Sequence, residues 1–275
     1  MTTPPLPLDG LSVAGVETCI EVPSMKLVLD LGRCTRTAVN QPLALLSHGH
    51  MDHLGAAAHH AARRAMMKMS EGTYLVPRAV HAEVEALFAA AGALDGQTIP
   101  RKIVPLAPGE RFPLGKGRFV EPFATVHRVP SQGYIVWETR RRLKDEHRGL
   151  APEKIAELKR AGAAIDETVE VPLLAFTGDT RVEALETTPA LAAAETLIAE
   201  CTFLDDRVSV DEARAMGHIH LDELLARAEL LSARDVVLTH FSARYTEADV
   251  ARILAERLPD SLRGRVRFLF GEDRR

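Results

Sequence analysis

Cysteine is scarce in this chain. Cys19, Cys34 and Cys201 are the only three in 275 residues, and none belongs to a Cys-x-x-Cys pair. That usage excludes a disulfide framework and a thiolate zinc site, and it fits a reducing, cytoplasmic compartment. Long apolar runs are missing as well. No uncharged stretch approaches the roughly 18 residues of a membrane span, and the opening MTTPPLPLDG has neither a basic nor an apolar leader region, so neither membrane insertion nor secretion is expected. Positive charge is not in excess: the net charge is -4 and the pI near 6.3. A protein that grips nucleic acid over a broad surface is usually basic, so any polynucleotide substrate must be gripped locally. Repeats and low-complexity tracts are absent too.

What remains is an ordinary globular composition, 46% hydrophobic and 26% charged, long enough to bury a core without covalent staples. The apolar runs suggest α/β order. Two short strands are expected between Leu11 and Leu31, then a strand at Leu43–Leu46 that stops at Ser-His-Gly-His. An alanine-rich helix is expected from Leu54 to Met69, with Thr73–Val76 and Val80–Ala91 repeating strand and helix. Several antiparallel strands should lie between Ile103 and Trp137. Three further buried strands end in polar residues of metal-binding type: Leu173–Phe176 in Thr-Gly-Asp-Thr, Thr196–Ala199 in Glu-Cys-Thr, and Val236–Leu238 in Thr-His-Phe-Ser. In open α/β sheets ligands bind at the C-terminal ends of strands. Residues 139–165 break the pattern, with eight basic and four acidic residues and a helix expected at Pro152–Arg160. This segment reads either as a solvated surface helix pair or as an arm that touches a phosphate backbone.

The eleven histidines fall at ligand spacing. His48, His50, Asp52 and His53 form HxHxDH, and a loop after a strand can aim them inward as two sets, His48 with His50 and Asp52 with His53. Imidazole and carboxylate are zinc ligands. Four ligands do not close two sites, so more are required at other strand ends, and His127, Asp179 and His240 stand there. The exposed or capping alternatives for each, a structural histidine or a turn aspartate, are the ordinary ones when each is taken alone. His59, His60, His81, His147 and His220 are read as structural, and the cysteines as small core residues.

HxHxDH followed by a distant histidine, Gly-Asp-Thr and a late Thr-His resembles the metallo-β-lactamase superfamily, whose fold is an αββα sandwich. Ser-Gln-Gly-Tyr at 131–134, Glu-Cys-Thr-Phe at 200–203, Gly-His at 217–218 and His-Phe-Ser-Ala-Arg-Tyr at 240–245 narrow the likeness to ribonuclease Z, the tRNA 3′-processing endonuclease. Glu-Thr-Cys at 17–19, Asp-Leu-Gly-Arg-Cys at 30–34 and the Arg-Leu-Lys-rich insert are similar to its short plant-type form. The resemblance implies one metallo-β-lactamase-fold domain over residues 1–275, with 139–165 as an inserted arm. It implies two zinc ions, with manganese an alternative: one on His48, His50 and His127, the other on Asp52, His53 and His240, and Asp179 as the bridge. It also implies that Glu200 orients His218 as proton donor, with Asp52 a further catalytic group. The arm takes the place of a tRNA-holding exosite, for which Arg140, Arg141, Arg142, Lys144 and Arg148 are the candidates. Precursor tRNA is the implied substrate, a homodimer the implied assembly, and the helix with Met66, Met67 and Met69 its candidate face. The Pro-x-Lys-x-Arg-Asn motif of many bacterial relatives, tied to rejecting CCA ends, is missing. A small-molecule metallohydrolase, such as a cyclic phosphodiesterase or lactonase, would share all seven ligands and stays open as the alternative.

Overall fold

The computed structural model describes residues 4–271; Met1–Thr3, part of the segment read as lacking a leader, and Glu272–Arg275 lie outside the described residues. Two mixed seven-stranded sheets face each other. The first contains β1 (Asp9–Ala14), β2 (Glu17–Val22), β3 (Leu27–Leu29), β4 (Leu43–Leu45), β5 (Gly72–Pro77) and β6 (Arg101–Leu106) in that order, with the late β13 (Phe241–Ser242) parallel to β1 at the edge. The second runs β14 (Val266–Phe268), β12 (Asp235–Thr239), β11 (Thr196–Glu200), β10 (Asp166–Phe176), β9 (Gln132–Leu143), β8 (Arg118–Ala124), β7 (Phe112–Gly115). Each sheet joins an antiparallel meander to a parallel half, β3 through β6 in one and β10 through β14 in the other.

Alternation along the strands builds four layers. Leu27, Leu29, Leu45, Leu75, Tyr134, Val136, Ile198 and Val237 point between the sheets, while their neighbours Val28, Ala44, Tyr74, Ile135, Leu197 and Val236 point outward to helices. Strands buried on both faces read as continuous apolar runs, which is why LALL and DVVL were legible as strands. Helices α1 (Met51–Leu54), α2 (Ala57–Met66) and α3 (His81–Asp95) cover the first sheet. The second is covered by α5 (Glu183–Thr187), α6 (Pro189–Ala192), α7 (Val210–Met216), α8 (Leu221–Leu225) and α9 (Glu247–Arg257), following α4 (Pro152–Arg160) of the insert. Among the described residues no helix is long and apolar enough to cross a membrane.

Three expectations need correction. The Leu11–Leu31 region holds three strands, because Gly15 takes a left-handed φ of +71° and folds β1 and β2 into a hairpin. The helix expected from Leu54 starts earlier, at Met51, and breaks at Gly55–Ala56, so Asp52 and His53 project from a helical turn, not a loop. The arm is no helix pair: β9 and β10 continue together past the end of β8 as a ribbon from Glu138–Val171 to Leu143–Asp166, with α4 at its tip.

Candidate metal centre

All seven sequence-predicted ligands converge at one edge of the sandwich, where β4, β10 and β12 end and the loop after β8 crosses over. They fall into two groups: His48, His50, His127 and Asp179, and Asp52, His53 and His240, with the ligand atoms of each group within 4.8 Å of one another. Asp179, a member of the first group, also reaches two residues of the second. Its Oδ2 lies 3.7 Å from His48 Nε2 and 3.8 Å from His127 Nε2, and its Oδ1 lies 3.3 Å from both His53 Nε2 and His240 Nε2. One carboxylate thus turns an oxygen to each group. His48, His53, Asp179 and His240, together with the His127 ring, form a buried floor, whereas His50, Asp52 and His218 keep partial exposure.

The second nitrogen of each buried ring decides what the first can do. His53 Nδ1 is 2.6 Å from Asp30 Oδ2, and a carboxylate only accepts, so the proton sits on Nδ1. His127 Nδ1 donates to the Gly217 carbonyl (2.9 Å). Ser47 gives its hydroxyl proton to Asp30 Oδ2 (2.8 Å), which leaves its oxygen to accept from His48 Nδ1 (2.9 Å). Thr202 donates to Glu200 Oε2 (2.7 Å) and accepts from His240 Nδ1 (3.1 Å). All four rings therefore present Nε2 to the centre. His50 presents Nδ1, 3.0 Å from His48 Nε2 and 3.3 Å from His127 Nε2. Gly15 N–H, in the β1–β2 turn, donates to Asp52 Oδ2 at 2.8 Å.

This donor set fits a cation in each group. His53 and His240 bring Nε2 atoms within 3.1 Å, and with each ring neutral and its proton on Nδ1, lone pair is set against lone pair. Asp179 Oδ1 is buried with no hydrogen-bond partner. Burial favours the neutral acid at Asp179, but electrostatic interaction with the His240 and His53 imidazoles outweighs it and holds its pKa well below the usual range. Burial likewise opposes a charge on His53, yet Asp179 and Asp30 push that imidazole well above its ordinary value. Burial keeps His48 and His127 neutral, as ligation requires. With its rings neutral, as ligation requires, the pocket holds more negative charge and lone-pair density than its own protons balance, and a proton on His53 or a bound cation relieves that condition.

Glu200, at the end of β11, is buried, not a surface carboxylate. Its Oε1 accepts from Thr180 N–H (2.7 Å) and His218 Nδ1 (3.0 Å), and its Oε2 from Thr202 and Ile219 N–H (3.1 Å). Burial disfavours protonated His218, but the Glu200 charge prevails and raises it to about 9. Cations in the neighbouring groups would act in the opposite sense. With Nδ1 committed to Glu200, His218 turns Nε2 toward the centre, and it groups with Asp179 and His240 within the same 4.8 Å.

Backbone geometry supports these placements. Asp30 (φ +57°) and His240 (φ +62°) both adopt the left-handed conformation, uncommon outside glycine and concentrated at functional sites. Gly217 has φ +84°, and a Cβ there would lie 2.8 Å from His127 Nδ1, so only glycine lets this turn reach the ring. Asp30, Ser47, Thr202 and Gly15 are site residues that sequence reasoning left without a role. Asp30 and Thr202 lay inside quoted motifs, and the available signal was a hydrogen-bonding side chain beside a ligand-bearing strand end.

The arm candidates are brought together, but not as free cations. Arg140 pairs with Glu138 (2.5 Å) and Glu195 (2.8 Å), Arg141 with Asp166 (3.2 Å), Arg142 with Glu167 (2.7 Å), Arg148 with Asp145 (2.9 Å), and Lys144 stands 4.0 Å from Glu146. Lys159 and Arg160, at the end of α4, have no carboxylate within 4.0 Å among the described residues. His60 is buried against Tyr74, and His220 caps α8 by accepting from Asp222 N–H, as structural residues do. Cys19 and Cys201 are buried, whereas Cys34 is only half-buried and receives a hydrogen bond from Arg63. Met66 and Met67 are exposed instead of forming core.

Two opposed mixed sheets flanked by helices, with a His/Asp cluster at one edge, define a metallo-β-lactamase-type hydrolase scaffold. The model of the beta-lactamase superfamily domain matches residues 33–241. The chain is 40% identical to tRNase Z TRZ1 of Arabidopsis thaliana over 262 residues, covering 94% of this chain and 93% of that protein. It belongs to the tRNase Z family of that superfamily. Solved structures of the same fold include human tRNase Z, short form (TM-score 0.60, 18% identity, 86% of this chain and 92% of that one), and the metallo-β-lactamase-fold protein YhfI of Bacillus subtilis (TM-score 0.63, 14% identity, 96% and 95%).

Proposed function

We propose that this chain is a metal-dependent endoribonuclease that removes the 3′ trailer from precursor tRNA at a dinuclear zinc centre. His48, His50 and His127 would hold one ion, Asp52, His53 and His240 the other, with Asp179 between them. When bound, such a pair supplies Lewis acidity to a phosphodiester and to water. The chain's own groups do the rest. His218 presents a proton at Nε2, held there by Glu200, to the ribose 3′-oxygen as its bond to phosphorus breaks. Water oxygen ends on the phosphate, leaving a 3′-hydroxyl on the tRNA and a 5′-phosphate on the trailer. Gly15 N–H fixes Asp52 Oδ2, the oxygen turned toward His53 and His240. The partly exposed face formed by His50, Asp52 and His218 suits a polymer laid across an edge.

The observation that carries the reading is His218 hung on buried Glu200 beside Asp179. Hydrolysis of a phosphate diester needs a proton for a poor alkoxide leaving group, which an imidazole so placed provides. We place the tRNA body on the ribbon at 139–165 and a second copy of the chain on the face with Met66 and Met67, in the cytoplasm. The test is cleavage of end-labelled precursor tRNA by zinc- or manganese-loaded protein, beside Asp52→Ala and a panel of small phosphodiesters and lactones. One cut after the discriminator base, lost in the variant, supports the reading; turnover of small esters with intact tRNA refutes it.

A further inference from the structure

The imidazoles of this centre are held by two modules of the same design. In the first, Asp30 binds His53 directly (2.6 Å) and His48 through the Ser47 hydroxyl (2.8 and 2.9 Å). In the second, Glu200 binds His218 directly (3.0 Å) and His240 through the Thr202 hydroxyl (2.7 and 3.1 Å). The first module serves two residues of the ligand cluster. The second joins one such residue, His240, to the group that is not a ligand, His218.

Thr202 is not an ordinary strand-end threonine. Thr177 and Thr180, at the neighbouring strand end, donate to backbone carbonyls of Gly178 (2.8 Å) and Arg181 (3.0 Å). The Thr202 hydroxyl has side-chain partners at both ends, and it lies between Cys201 and Phe203, whose side chains are buried in apolar clusters. A hydroxyl carries one proton, and Glu200 only accepts, so the Thr202 proton is committed to Oε2 and its lone pair faces His240 Nδ1–H. That assignment leaves His240 Nε2 as a lone pair toward Asp179. His240 also sits on a left-handed residue, so its ring depends on this bond for its setting.

We propose that Thr202 is a positioning residue that ties the second metal's histidine to the proton-donating pair, fixing the tautomer of His240 and the orientation of Glu200 with one hydroxyl. This rests on the nuclease reading for the role of His218. Partners that orient metal-bound histidines typically change metal affinity by about 10- to 100-fold when removed.

The test compares Thr202→Val, which keeps the shape and removes the hydroxyl, with Thr202→Ser, which keeps the hydroxyl. Zinc-loaded proteins are mixed with a chromophoric chelator to time zinc release, then fully reloaded and assayed for kcat and KM on precursor tRNA. In Thr202→Val one of two zinc ions should leave at least about tenfold faster, and after reloading kcat should fall at least about tenfold with little change in KM. Thr202→Ser should stay near wild type in both. Unchanged zinc release in the valine variant overturns the proposal. So does full kcat after reloading, which would break the link to Glu200, and so does equal failure of the serine variant, which would assign the effect to the methyl group. Should Thr202→Val not fold, Thr202→Ala against Thr202→Ser is read the same way. Zinc release needs no RNA, so a wild type that leaves precursor tRNA intact refutes the nuclease reading without deciding this one.

Discussion

His60 should make the ligand-bearing half of the molecule acid-sensitive. The ring is fully buried where α2 crosses β5, with Nε2–H donating to the Ala38 carbonyl (3.1 Å) and Nδ1 accepting from the Tyr74 hydroxyl (2.8 Å). A second proton would reverse the tyrosine bond and place a charge inside an apolar layer. Burial, helped by Arg64 and Arg63, lowers the pKa to about 4 from 6.5. Between those values the unfolded chain binds a proton that the native chain does not, so stability falls as pH drops through the window and is intact above it. At about 1.4 kcal/mol per pH unit the full loss below pH 4 is about 3 kcal/mol, and at pH 5 it is about 2 kcal/mol. A typical domain has roughly 5–15 kcal/mol in total. His60→Gln retains an amide donor and an acceptor but does not titrate. Urea unfolding of both proteins at pH 7.5 and pH 5.0, with chelator present so that metal loss does not contribute, isolates the term, because other titrating groups cancel in the difference. The wild type should lose about 2 kcal/mol more than the variant on acidification. Equal losses would refute the reasoning.

Other perturbations separate the parts of the centre. Asp179→Asn removes the charge that faces both groups, and the purified variant should hold fewer than one zinc per chain by elemental analysis; retention of two would remove Asp179 from the bridge. Gly217→Ala places a methyl 2.8 Å from His127 Nδ1 at φ +84°, so zinc release should quicken and turnover fall, whereas an alanine variant with wild-type release would show that the turn yields. His218→Ala should lower kcat by about 10²–10⁴ while leaving the dissociation constant for precursor tRNA within a few fold; parallel losses in both would exclude a proton-donor role. On the arm, Lys159→Ala/Arg160→Ala should weaken tRNA binding and flatten its salt dependence more than Arg140→Ala/Arg141→Ala/Arg142→Ala, whose side chains already have carboxylate partners. The reverse order would put the RNA on the ribbon stem.

The fold was legible where burial leaves a periodic trace. Strands closed on both faces appear as apolar runs, and each such run ends in the residue that now lines the centre: His48 after Leu46, Asp179 after Phe176, Glu200 after Ala199, His240 after Leu238. Turn-level detail was less legible, because one glycine at a left-handed φ divides what otherwise reads as a single strand. The ligand helix was misplaced for a related reason. Asp52 and His53 are polar and their helical turn is one turn long, too short for any periodicity to declare it. The ribbon at 139–143 and 166–170 escaped notice because its strands bury little apolar surface and touch the sandwich mainly through ion pairs, Arg140 with Glu195 and Glu170 with Arg111. TRRRL and DETVE are mostly polar and charged, and one leucine and one valine are too few to declare an apolar face.

Those charges explain how an acidic chain can be built to meet RNA. The insert's eight basic residues look like a cationic patch in one dimension, but cross-strand pairing sets Arg141 and Arg142 against Asp166 and Glu167, which lie just outside the basic stretch in sequence. Pairs this exposed contribute little stability and exchange readily. A phosphate that displaces a carboxylate from Arg142 therefore gains one ion pair at the expense of another, so little net attraction arises at the stem. Among the described residues Lys159 and Arg160 have no such partner to give up. Their place at the C-terminal end of α4 also offsets the helix dipole. Positive charge without a carboxylate partner among the described residues is thereby concentrated at the tip of a ribbon that projects beyond the neighbouring strand, where the proposed RNA contact would form. A contact of that kind is local and salt-sensitive, which is the form of RNA binding that a net charge of -4 permits.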